Sequence, residues 1–163
     1  MSEIKPLGRD YSIVIDKFLR KIKKDRKFFN YRNCTDDEIM DIINERSLDI
    51  LDSALNGINN RITPLHGINF DDRDDELKCF NFDLYRSDVE LIVESMRVEY
   101  YEEEEIKLNR MEKYLGNDIK TYCPADERNS FMSMLNTERN ELQTKIEYYN
   151  SRDRITNQPI FAY

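Results

Sequence analysis

The run Asp71-Asp72-Arg73-Asp74-Asp75-Glu76 places carboxylates at alternate positions, Asp72, Asp74 and Glu76, as the oxygen-ligand loop of a calcium site does. The position that follows refuses that chemistry. Leu77 stands where the sharp turn of such a loop needs glycine. The run reads as a solvated acidic loop. A second acidic group, Glu99-Tyr100-Tyr101-Glu102-Glu103-Glu104-Glu105, raises acid–base catalysis. That chemistry needs two carboxylates buried together with their pKa values pushed apart. Nothing local buries these, so they read as the solvated face of a helix. His66, the only histidine, lies beside Gly67 and suits a turn. Cys123 precedes Pro124 at a helix start, where the dipole lowers a thiol pKa, but no base accompanies it. The glycines at 8, 57, 67 and 116 are isolated, so no phosphate loop is written here. No metal cluster and no nucleophile elbow stands out. The expectation is a protein without catalytic residues, cofactor or metal.

Four helical stripes must position these groups. Asp10 is suited to cap a helix over 11–29, with Ile15, Phe18, Leu19 and Ile22 on one face. Thr35 and Glu38 form a capping box opening a helix over 36–56, with Gly57 as its terminator. Ile39, Ile43, Ile50, Leu51, Ala54 and Leu55 are its buried stripe. Residues 57–86 read as a long connection broken by Pro64 and Gly67, anchored by Leu77, Phe80, Phe82 and Leu84. Ser87 and Glu90 cap a third helix to Leu115, roughly 43 Å long at 1.5 Å per residue. After Gly116 to Cys123 a fourth follows, with Phe131, Leu135, Leu142, Ile146 and Tyr149 inward. So short a connection predicts an antiparallel hairpin. The fold class expected is all-α: a small helical bundle (1–150) with a long antiparallel helix hairpin and an extended C-terminal tail (151–163).

Charge is uneven along the 163 residues. Residues 1–33 hold ten Lys/Arg against four Asp/Glu, within a chain of net charge −8. Such asymmetry marks an interaction surface. Arg20, Lys21, Lys23, Lys24, Arg26 and Lys27 form a basic segment suited to phosphate or to an acidic protein ring. The tail ends on Pro159, Ile160, Phe161 and Tyr163, an apolar set expected to dock on another chain. Cys34, Cys79 and Cys123 are odd in number and scattered, as in reduced cytosolic proteins, which makes the acceptor pattern Asn33-Cys34-Thr35 idle. No apolar run approaches 18 residues, and charge stands where a signal peptide needs its apolar stretch.

A family resemblance lies in residues 80–150. Asp83-Leu84 leads into a long helix with Met96-Arg97-Val98-Glu99-Tyr100. Asp118-Ile119-Lys120-Thr121-Tyr122-Cys123-Pro124-Ala125-Asp126 then leads into a last helix. This resembles the small helical neck proteins of tailed bacteriophages, and among them the head–tail connector, or adaptor, proteins. The resemblance implies a virion structural protein, not an enzyme. It implies a homo-oligomeric ring, twelve copies being the expected number, bound to the portal protein around the DNA channel. Other neck and tail proteins would be further partners. The place implied is the virion neck, with assembly in the host cytoplasm. Two other classes fit the residues: a cytosolic nucleic-acid-binding regulator or antitoxin-like module using the basic first helix, and a helical enzyme whose site is assembled across the bundle.

Overall fold

The computed structural model describes residues 4–22, 34–116 and 125–160. Four helices carry it: α1 (Tyr11–Lys21), α2 (Asp36–Asn59), α3 (Arg86–Leu115) and α4 (Ala125–Asn150). Strand β1 (Gly8–Asp10) precedes α1, and β2 (Arg73–Asp74) and β3 (Cys79–Leu84) lie between α2 and α3. They form one antiparallel sheet in the order β1-β3-β2, with Gly8 opposite Leu84 and Arg73 opposite Phe80. The protein is thus mostly helical but not all-α, and the expected connection over 57–86 contains two strands. The cause is an alternation: Phe80, Phe82 and Leu84 fall at every second position, and a strand sets all three on one side. Phe80 and Leu84 are fully buried and Phe82 packs beside them. Leu77 is no anchor. It stands 73% exposed at the β2–β3 turn. There Lys78 takes a positive φ of 53°, and Asp74 Oδ1 accepts from the backbone N–H groups of Glu76 and Leu77 at 3.0 and 2.9 Å.

The helix boundaries follow their polar ends. Thr35 caps α2 with Glu38 returning to the Thr35 N–H at 2.7 Å. Gly57 does not end α2, because Ile58 still belongs to its buried stripe at 1% exposure. The helix stops at Asn59, whose side chain accepts from Phe70 N–H at 3.0 Å and donates to Asp71 at 2.8 Å. Helix α3 begins one residue before the expected Ser87 cap. Asp88, not Glu90, reaches back to the Tyr85 N–H at 2.8 Å, while Glu90 pairs outward with Arg86. Helix α1 buries Tyr11, Val14, Ile15, Phe18 and Leu19. The expected continuation over 23–29 lies outside the described residues.

The core gathers α1, α2, the sheet and the adjoining parts of α3 and α4. Contacts between α3 and α4 run from Asp88–Tyr149 through Glu94–Lys145 and Glu102–Arg139 to Glu112–Arg128. They climb one helix while descending the other. The connection 117–124 lies outside the described residues. Burial does not extend along the whole pair: none of residues 101–114 on α3, and none of 125–134 on α4, is buried.

Residues 151–160 are not extended as expected. Arg152 bridges Pro159, Asp153 N–H donates to Gln158 O at 2.8 Å, and Ile160 N–H donates to Ser151 O at 2.8 Å. Asp153 closes this loop by accepting from Ile155 and Thr156 N–H at 3.0 and 2.7 Å.

Candidate functional site

The densest ionic group lies where α1, α3 and α4 meet. Glu94 falls within the apolar stripe of α3 and is only 1% exposed. Such a carboxylate must be paired. Lys145 Nζ of α4 stands 2.7 Å from its Oε2, Arg97 Nη1 3.3 Å from its Oε1, and Lys21 Nζ of α1 3.6 Å away. Arg97 also holds Glu138 of α4, at 2.8 Å. The other oxygen of Glu138 is buried and meets no donor among the described residues. An oxygen of Glu138 lies within 4.8 Å of one of Glu94, and two carboxylates this close oppose each other's charge. Burial, then that contact, lifts the Glu138 pKa above the ordinary carboxylate value. Burial also pushes Glu94 upward, but Lys145, the neighbouring Glu138 carboxyl and Arg97 together outweigh it and hold Glu94 low. Lys21 is pulled down by burial against the attraction of Glu94.

Glu94, Glu138 and Glu141 each offer an oxygen within 4.8 Å of the others, a spacing open to a metal ion. Three cationic side chains, Lys21, Arg97 and Lys145, already balance these three carboxylates. A divalent cation would enter against that positive charge and find few of the six or more oxygens calcium takes. The arrangement suits a clamp joining three helices.

A second cluster ties the chain end to the body. Asp88 is fully buried and accepts from Tyr149 Oη at 2.6 Å and from Arg154 Nη1 at 2.5 Å. The Arg154 guanidinium lies 5.1 Å from the Tyr85 ring centroid and 5.6 Å from that of Phe82. Burial raises the Asp88 pKa against these partners, and burial beside Asp88 raises the Tyr149 phenol. His66 closes a 3-10 turn (Pro64–His66), with its ring 4.5 Å from that of Tyr149 and Nε2 3.0 Å from Tyr149 O. Burial, opposed by that bond, lowers its pKa and favours a neutral ring.

The sequence-predicted residues distribute as follows. Arg20 is exposed on α1, whereas Lys21 lies against Glu94. Lys23, Lys24, Arg26 and Lys27 lie outside the described residues, as do Phe161 and Tyr163. Pro159 is exposed and Ile160 half-buried. The glutamates of 99–105 are not a free solvated face. Arg139 takes Glu102 and Glu105 at 2.8 and 3.0 Å, Arg46 takes Glu103 at 2.6 Å, and Lys107 takes Glu104 at 2.5 Å. Glu99 is raised by burial and by the charges of Glu102 and Glu103. Sequence reasoning missed Glu94, Arg97, Glu138 and Lys145. The signal was present: a glutamate inside the run Leu91-Ile92-Val93-Glu94-Ser95-Met96, and Glu138, Glu141 and Lys145 on one face of α4. No helix among the described residues is long and apolar enough to cross a membrane. No family model, no curated protein and no solved structure matches the chain.

Proposed function

We propose that this chain is a virion structural protein of a tailed bacteriophage, a head–tail connector that forms a ring between portal and tail around the DNA channel. The observation that carries the reading is where large apolar side chains are left. Leu65 is 75% exposed, Leu77 73% and Tyr114 84%, on three separate elements of a highly charged chain. Single exposed apolar side chains are common, but brought together from neighbouring copies they can form the apolar centre of an assembly contact. The resemblance of residues 80–150 to connector proteins names the assembly. In this reading α3 and α4 form one long hairpin, the basic side chains Arg20, Lys23, Lys24, Arg26 and Lys27 face DNA or an acidic ring, and Pro159 to Tyr163 engage a neighbouring copy or the portal. Cryo-electron microscopy and mass spectrometry of particles purified from the phage that encodes the chain test it. The expected result is the chain at neck level in ring-averaged density. Particles that lack the chain overturn it.

One observation favours a second reading, an acid–base enzyme: the Glu94–Glu138 pair has its two pKa values pushed apart, the pattern such sites use. The groups around Glu94 weigh against it, since both its oxygens are already met by Lys145 and Arg97. A substrate would have to displace those partners.

A further inference from the structure

The two ends of strand β3 carry surfaces of opposite character. At its start, the β2–β3 turn projects Asp75, Glu76 and Leu77. The Asp75 side chain and Leu77 are each 73% exposed, and Glu76 has no ion pair among the described residues. The turn is braced before any partner arrives. Asp74 holds two of its N–H groups, Tyr11 Oη donates to Asp75 at 2.7 Å, and Tyr11 N–H donates to Lys78 O at 2.9 Å. An exposed leucine on a braced acidic turn is a knob whose ordering cost is already met.

Beyond the other end of β3, roughly 17 Å away for six strand residues, lies a cleft of about 650 Å³. Its position is fixed by Leu7 N–H donating to Leu84 O at 2.8 Å. Its apolar walls include Ile4, Leu7, Tyr148 and Ile155, which are 49%, 53%, 49% and 39% exposed. Its charged lining is five basic side chains against two acidic ones, in a chain of net charge −8. Lys145, Arg154 and Arg86 face Glu94, Asp88 and Glu90. Lys5 and Arg152 have no ion pair among the described residues, and Arg152 lies over the Tyr148 ring at 4.3 Å. Asp153 is the one acidic lining group outside those pairs, so the cleft offers apolar contact and an excess of one positive charge, the complement of the knob.

We infer that the Asp75-Glu76-Leu77 turn of one copy seats in this cleft on the next copy. Leu77 packs against Ile4, Leu7 and Ile155, and Glu76 meets Lys5 and Arg152. Because the two surfaces differ and lie at opposite ends of one sheet, the contact is heterologous: it propagates from copy to copy and closes into a ring when the rotation permits. This names the inter-copy contact and rests on the ring reading given above.

The test is sedimentation of the purified full chain over a concentration series. A knob variant, Leu77→Asp, and a cleft variant, Lys5→Glu with Ile155→Asp, are compared with wild type. All three substituted residues are exposed, and circular dichroism checks that folding is intact. Wild type is expected to self-associate. Each variant is expected to associate about ten- to a hundred-fold more weakly, the worth of burying one large apolar side chain. An equimolar mixture of the two variants retains one intact knob and one intact cleft, so it is expected to give a one-to-one dimer that does not grow. Wild-type assembly that Leu77→Asp leaves unchanged overturns the docking but spares the ring. A mixture that stays monomeric overturns the heterologous pairing. A wild type monomeric at every concentration overturns both the docking and the ring.

Discussion

Between Asp88 and Tyr100, α3 buries Val89, Leu91, Ile92, Val93, Met96 and Val98 and closes two ionic clusters on α4. Between Glu102 and Tyr114 the same helix buries nothing, and its contacts to α4 are surface ion pairs from Arg139 and Arg128. Both stretches are regular helix. Helical propensity therefore does not separate them; the neighbours do. The first stretch has α1, α2 and the sheet packed around it, whereas the second relies on good helix formers and paired charges. Stability belongs to the first half, and the second half is free to meet another molecule.

This contrast is open to four tests, beginning with the largest effect. Glu94→Gln leaves Lys145 and Arg97 without their buried carboxylate, and breaking such a pair costs about 3–5 kcal/mol. Urea unfolding at pH 7 should show that loss; a change below about 1 kcal/mol would mean that the clamp contributes no more than a surface pair. Leu135→Ala, at the first fully buried position of α4, should cost about 3 kcal/mol, while Met132→Ala, one turn nearer the distal end, should cost under about 1 kcal/mol. Equal losses would erase the boundary between the halves.

A third test uses pH. Glu138 titrates above the ordinary value of 4.5 in the folded chain, so the folded state holds a proton that the unfolded state lacks, and stability rises as pH falls towards 4.5. Glu94 titrates below 4.5, so its contribution, full above that value, is lost as pH falls further through its folded pKa. Wild type should therefore be most stable near the ordinary glutamate value. Glu138→Gln should flatten the limb above 4.5 and leave the acid limb in place, as read from melting temperatures across pH. An unaltered upper limb would mean that Glu138 does not titrate high in the folded chain. The smallest effect belongs to the distal pair: Glu112→Gln should change stability by less than about 0.5 kcal/mol, because Glu112 is half exposed where it meets Arg128.

Much of the helical frame was readable from local signals. Thr35 and Glu38 announce the start of α2, and the stripes of α1 and α4 name residues that are buried, except Phe131, which is only half-buried. The end of α2 was misread because glycine is only a weak terminator when the apolar period runs on, as Ile58 shows. The sheet was missed for two reasons. The alternation of Phe80, Phe82 and Leu84 is too short to stand apart from loop anchors, and the partner strand Gly8-Arg9-Asp10 has no apolar side chain to reveal it. The Glu94 clamp was beyond local reading: Glu94 and Lys145 are 51 residues apart. A glutamate within an apolar stripe says that a partner exists, but only packing says which one.

The strand pairing also sets when the molecule can form. Arg9 meets Asp83 across 74 residues, and Arg154 reaches Asp88 across 66. During synthesis at about 5–20 residues per second, β1 waits several seconds for β3 to emerge. The Asp88 carboxylate then waits, with its buried site unfinished, for Arg154 to emerge 66 residues later. Contacts of such span slow folding. A nascent chain stalled before Arg154 would hold Asp88 without its guanidinium, so the body should close only after Arg154 has emerged.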